Sequence, residues 1–243
     1  LALGDYDGDG DVDVHVSNAG PTFLARNDGG LFTDVSLDVA ALSAGETGDV
    51  SWSTEFIDLG NDGVSELFTA FGHMPTKGIG GGPGGTRNAY EQRNALWRWS
   101  AGDDRFVDVA PERGLDDPAM TRTVVVADLD RDGFPELVTF SLDTGLSLWR
   151  APCNENAWLR VTLRSDSLNR AAIGARVEAI ADGQLVVQTV SVGSTGTMSA
   201  GPAEVILGLG GADTVDLRVV WPSGRVTENR DVPTRRAVEI SEL

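Results

Sequence analysis

Three short acidic stretches that share one spacing constrain this chain more than anything else in it. Asp5 to Asp13 reads DYDGDGDVD, Asp58 to Glu66 reads DLGNDGVSE and Asp128 to Glu136 reads DLDRDGFPE. Aligned, each has an acid first, an acid fifth, a glycine sixth (Gly10, Gly63, Gly133) and an acid ninth (Asp13, Glu66, Glu136). The third place holds Asp7, Gly60 and Asp130, so two copies are complete and one lacks an acid. The copies start 53 and 70 residues apart, and recurrence at such intervals marks repeated supersecondary units.

These acids crowd a chain whose formal charge is already -18, with 37 acidic against 19 basic residues. Carboxylates about 4 Å apart repel by roughly 1 kcal/mol per pair even in water, and by more near a protein surface. A cation relieves that cost. Alternate residues of a tightly curled loop can turn their oxygens toward one centre, which suits a hard ion such as calcium, and glycine sixth allows the sharp turn. An EF-hand begins alike but needs an acid twelfth and helices on both sides. Here the twelfth places are Val16, Thr69 and Thr139, and the flanks DVDVHVSN, SELFTAF and PELVTFSL read as strands.

Strand patterns recur around each loop. The first unit predicts strands near Leu1 to Leu3, Val12 to Ser17, Thr22 to Arg26 and Leu31 to Val35, with Asn27 to Gly30 as a hairpin turn. The second predicts Val50 to Ile57, Glu66 to Phe71, Ala95 to Trp99 and Arg105 to Val109; the third, Thr121 to Ala127, Glu136 to Phe140 and Leu146 to Arg150 with no clear fourth. Four-stranded units suggest propeller blades, of which a ring needs about four to eight. The expectation is an all-β fold: a partial, three-blade β-propeller over residues 1–155, with upstream blades missing or supplied by another copy, then a small β-sandwich over residues 156–243. The sandwich strands are expected at Leu159 to Leu163, Ala175 to Ile180, Leu185 to Val192, Glu204 to Leu209, Val215 to Trp221 and Ala237 to Ile240.

The loop pattern, with RNDGGLFTDVS (Arg26 to Ser36) and WRWSAGDDRFVDVAPERGL (Trp97 to Leu115), resembles the FG-GAP or VCBS repeats of integrin-like propellers. FGHMP and YEQRNALWRW add a resemblance to proteins related to cartilage acidic protein, in which such repeats precede an ASPIC/UnbV module. NAWLRVTLRSDSLNRAAIGARVEAIADGQ (Asn156 to Gln184) and LGLGGADTVDLRVVWPSGRV (Leu207 to Val226) are similar to that module. The resemblance implies calcium ligands. In the first loop these are the side chains of Asp5, Asp7, Asp9 and Asp13 with the carbonyl of Asp11; in the third, Asp128, Asp130, Asp132 and Glu136 with the carbonyl of Phe134. The second retains Asp58, Asp62 and Glu66 with the carbonyl of Val64, so two calcium sites and a weaker third are expected; Asn61 points elsewhere by alternation.

Other features exclude functions. Nucleic acid is disfavoured by the acidic balance, since phosphate binding needs clustered Lys and Arg. No apolar run approaches a membrane span of roughly 18 residues. No nucleophile elbow, HExxH or Cys-His pairing is present, and each clustered acid is accounted for by a loop, so no enzyme is expected. Gly78 to Gly85 contains a literal GxGxxG but is interrupted by Pro83, and reads as a surface loop rather than a phosphate site. Cys153 reads as a free linker thiol, and His15 and His73 as packed or hydrogen-bonding residues. The function expected is a calcium-stabilised scaffold or adhesion-type binding module for a protein or glycan ligand. A lectin-like carbohydrate binder using Trp97 or Trp99, or less so a carbohydrate-active enzyme, is the alternative. Millimolar extracellular calcium suits such loops, so an extracellular, periplasmic or cell-surface location is expected, although no signal peptide is visible in the chain.

Overall fold

The computed structural model describes residues 1–39, 49–73, 91–151, 154–192 and 200–242. Cys153 and the glycine-rich Gly78 to Gly85 lie outside the described residues. Among the described residues the fold is all-β, and five sheets of three or four strands stand in a β-propeller arrangement.

The first three sheets follow one another along the chain as antiparallel meanders. The first runs β1 (Ala2–Gly4), β2 (Asp13–Val16), β3 (Phe23–Asp28) and β4 (Leu31–Asp34). The β3–β4 turn is the expected hairpin: Asp28 pairs with Leu31 while Gly29 and Gly30 take φ of 63° and 93°, which the mirror-image two-residue turn demands. The second sheet is β5 (Ser51–Ile57), β6 (Glu66–Phe71), β8 (Ala95–Ser100) and β9 (Arg105–Asp108), with β7 (Gln92–Arg93) between β6 and β8 in the chain. One turn of helix, α1 (Ala110–Arg113), follows and ends at left-handed Gly114. Strand β10 (Pro118–Ala119) pairs with β7, and β11 (Thr121–Ala127), β12 (Glu136–Ser141) and β13 (Gly145–Arg150) form the third sheet.

Packing follows from the alternation of each strand. Every residue of β6 is buried, because the second sheet lies between the other two. Leu67 and Phe71 join Ala2, Leu24, Trp97 and Phe106 in one cluster, while Phe68 and Ala70 join Leu96, Val124 and Leu137 in another. The far side of the third sheet leaves Phe140, Leu146 and Leu148 exposed, and Phe23, Leu31 and Phe32 are exposed on the first.

Residues 158–241 supply the remaining strands: β14 (Trp158–Arg164), β15 (Arg176–Ala181), β16 (Gln184–Thr189), β17 (Glu204–Gly208), β18 (Thr214–Val220), β19 (Val226–Pro233) and β20 (Arg236–Ser241). They form two interleaved sheets, β17-β14-β20 with β14 and β20 parallel, and β16-β15-β18-β19. Leu159, Val161 and Leu207 of one sheet share a single apolar cluster with Val177, Leu217 and Val219 of the other. These two sheets carry no acidic loop, which is why the repeats announce three sheets rather than five.

Candidate metal centre

Each acidic stretch is the hairpin between the first two strands of its sheet. The same pair closes all three: Gly4 opposite Asp13, Ile57 opposite Glu66 and Ala127 opposite Glu136. The ninth acid is therefore the first residue of the returning strand, aimed back across the loop.

Inside the hairpin the carboxylates are held by backbone donors, again identically. The sixth glycine donates its N–H to the first aspartate, Gly10 to Asp5 at 2.9 Å, Gly63 to Asp58 at 2.7 Å and Gly133 to Asp128 at 3.1 Å. The second residue donates to the ninth acid, Tyr6 to Asp13 at 3.0 Å, Leu59 to Glu66 at 3.0 Å and Leu129 to Glu136 at 2.8 Å. The seventh residues Asp11, Val64 and Phe134 donate to the fifth carboxylates Asp9, Asp62 and Asp132 at 2.7, 3.1 and 2.9 Å. Such closure needs left-handed backbone at the sixth place, and the three glycines there have φ of 92°, 85° and 91°.

In the two complete loops the acids converge. One oxygen each from Asp5, Asp7 and Asp13 lies within 4.8 Å of the others, and the same holds for Asp128, Asp130 and Glu136. Asp9 and Asp132 belong to the same hairpins but stand outside these groups, and an Asp11 side-chain oxygen accepts the Gly29 N–H at 2.6 Å. Burial pushes Asp5 up to about 6 and Asp13 to about 7, against the backbone donors that favour the anion; neighbouring acids add to the rise. Asp7 and Glu136 are raised for the same leading reason. At Asp128 one oxygen, Oδ1, is buried with no hydrogen-bond partner among the described residues, a costly state for a carboxylate. All-oxygen donors, enforced proximity and an unmatched buried oxygen fit a hard cation, so these clusters could hold a metal ion.

The second loop differs. Asp58, raised to about 7 by burial, and Glu66, raised by burial too, are joined by Asp62, but no third acid stands where Gly60 is. Arg98 reaches in instead, 2.7 Å from Asp62 and 2.6 Å from Glu66. Asn61 turns out of its loop, as alternation requires, and gives its amide to the Gly133 carbonyl at 2.9 Å, tying the second hairpin to the third.

Sequence reasoning missed Arg98 and its two counterparts. The residue directly opposite the ninth acid on the third strand of each sheet is arginine: Arg26 across from Asp13 by extension of the β2–β3 ladder, Arg98 across from Glu66 and Arg150 across from Glu136. Arg150 pairs with Asp130 at 2.8 Å and with Asp132, whereas Arg26 turns to Asp28 at 3.1 Å. The available signal is a W-R dipeptide, Trp97-Arg98 and Trp149-Arg150, in the third strand of the second and third sheets.

The C-terminal sheets seat against the same hairpins. Leu185 lies over Gly10, and Arg176 donates to the Gly10 carbonyl. Gln184 meets Gly63, and a Cβ at Gly133 would fall inside the Trp158 indole. Arg160 reaches Asp128 at 3.3 Å. The sixth glycine thus serves the turn and clears space for residues more than a hundred positions away at two of the three loops.

Residues 5–69 match the FG-GAP-like repeat family, and residues 165–243 match the ASPIC and UnbV family. The first match spans the first and second hairpins, and the second begins just after β14. The third loop lies between the matched stretches and shares the strand pairing and the three backbone-to-carboxylate bonds described above with the first two. No curated protein matches the chain. Among the described residues no helix is long and apolar enough to cross a membrane. Trp97 is fully buried between the first two sheets, which removes it as a sugar-stacking face.

Proposed function

We propose that the chain is part of a calcium-stabilised, integrin-like binding module that works outside the cytoplasm, and that calcium occupies the first and third hairpins. The observation that carries this is the convergence of three carboxylates in each complete loop, with Asp128 Oδ1 left over at the third. Calcium supplies the positive charge that lets the acids ionise together while buried. The chain's own residues do the rest: Gly10 and Gly133 orient the first aspartate, Tyr6 and Leu129 orient the ninth acid, and the sheets hold both at fixed separation. Magnesium suits the site less well, because it demands near-octahedral geometry and keeps its waters.

In the same reading the first three sheets are successive propeller blades, and their exposed apolar outer faces are what further blades would cover. The last two sheets are a small sandwich, consistent with their shared core. The order of FG-GAP-like repeats before an ASPIC/UnbV module supports kinship with proteins related to cartilage acidic protein. The clustered acids have structural work, so the chain is given no catalytic role, and its ligand is a protein or glycan.

Titration of calcium into chelator-stripped protein, followed by calorimetry and by thermal melting, tests the proposal. Uptake at millimolar calcium or below, with a rise in melting temperature by mass action, is the expected outcome. No heat and an unchanged melt would remove calcium from the account.

A further inference from the structure

We infer that the second hairpin takes no ion, because Arg98 is its built-in cation. The inference rests on the calcium reading of the other two loops and concerns how many ions the chain holds. Every carboxylate oxygen of the second loop has a donor. Asp58 accepts from the N–H groups of Asp62 and Gly63 at 3.1 and 2.7 Å. Asp62 accepts from the Val64 N–H at 3.1 Å and from Arg98 Nη2 at 2.7 Å. Glu66 accepts from the Leu59 N–H at 3.0 Å and from Arg98 Nη1 at 2.6 Å. No oxygen is left over, in contrast to Asp128 Oδ1 in the third loop.

Arg98 is also well placed to stay. Its two terminal nitrogens grip two different acids, and a planar, permanently charged fork loses little freedom in doing so. Its side chain is 28% exposed, and that of Glu66 only 1%. Arg150, in the corresponding place of the third sheet, is 52% exposed and leaves Glu136 at 3.9 Å, so it can withdraw when an ion enters. The loss of the third acid and the insertion of Arg98 therefore read as one change: a guanidinium contributes +1 where a divalent ion would contribute +2, and one fewer carboxylate matches it. The empty third place is still spacious. A Cβ on Gly60 would meet only the Asp62 carboxylate, at 3.8 Å, and Gly60 is not among the residues with left-handed φ.

Counting bound calcium by native mass spectrometry of the whole chain tests this. The expected count is two per chain for the wild type and for Arg98→Met, and three for Arg98→Met combined with Gly60→Asp. In excess chelator Arg98→Met should melt roughly 5 °C or more below wild type, since two acids lose their partner, and Arg98→Lys should recover part of that shift. A wild-type count of three, or an Arg98→Met melt equal to wild type in chelator, would overturn the assignment. A double variant that folds yet still counts two would do the same. A wild-type count of zero would bring down the calcium reading together with this one, and the wild-type count decides even if a variant fails to fold.

Discussion

The acidic-loop sheets and the C-terminal module formed by β14 to β20 are stable for different reasons. The module hides apolar side chains: Leu159, Val161, Leu207, Leu217 and Trp221 share one cluster, and among its described residues only Ser165 and Thr234 are buried polar groups. The loop-bearing sheets bury Asp13, Asp58, Glu66, Asp128 and Glu136 at their hairpin tips and His15, Thr54 and Thr69 in their interior. Apolar burial stabilises with or without a divalent ion in solution, whereas a buried carboxylate needs its charge offset by backbone donors and a positive partner. Two halves of one chain therefore answer to different variables, and the module, resting on all three hairpins, inherits part of the dependence of its neighbour.

The largest effect expected separates the halves directly. Leu207→Ala empties a fully buried site in the module and should cost about 2 to 5 kcal/mol, equally in calcium and in chelator. Asp130→Asn should behave oppositely, with little effect in chelator and a loss of about 2.7 kcal/mol in calcium at roughly 100 times the dissociation constant. Denaturant melts of both variants in both buffers make the comparison. A Leu207→Ala deficit that grew on chelation would show the module's core leaning on the loops, and an Asp130→Asn deficit blind to calcium would break the distinction.

A smaller effect comes from pH. Both histidines of the chain precede residue 74, so acid sensitivity of this kind belongs to the loop-bearing half. The His15 ring is fully buried, with Nδ1 2.8 Å from the Thr54 hydroxyl and its edge toward Trp97, and burial pushes it from 6.5 down to about 3. Between those values the unfolded chain binds a proton that the folded chain refuses, so stability falls as pH falls, starting near the upper value and ending near the lower. Going from about pH 5.5 to about pH 4.5, the wild type should lose roughly 1.4 kcal/mol more than His15→Gln. Equal slopes would mean that the ring is protonated in place.

What the sequence discloses follows the same division. The hairpins are legible because their chemistry is local: acids first, fifth and ninth with glycine sixth need only nine consecutive residues to be recognised. Strands such as Glu66–Phe71 and Thr121–Ala127 stand where their β-formers place them. Strand β19, Val226–Pro233, escapes notice because it is a polar edge strand with neither face well buried, so VTENRDVP carries no alternation. The one-turn helix Ala110–Arg113 is too short for a period. The cross-strand arginines are illegible for a different reason: Arg98 meets Glu66 only through the register of β6 and β8, across a connection whose length no local rule sets. The seating of Trp158 on Gly133 is likewise a fact of docking between regions, with no trace in either stretch alone.

The smallest expected effect sets one ion pair against another of the same chemistry. On the module, Arg164 lies 3.1 Å from Glu239, with side chains 62% and 58% exposed, on neighbouring parallel strands. Both ends keep their water, and holding two long side chains in register offsets most of the attraction, so Arg164→Ala should cost under about 1 kcal/mol and less still in high salt. Arg98 faces Glu66 at 2.6 Å with the acid almost wholly removed from solvent, where losing the guanidinium strands a buried charge. If thermal melts at low and high salt found the Arg164→Ala loss as large as that of Arg98→Met, burial would not be what distinguishes the two halves, and exposed charge would have to be counted among the forces holding the module.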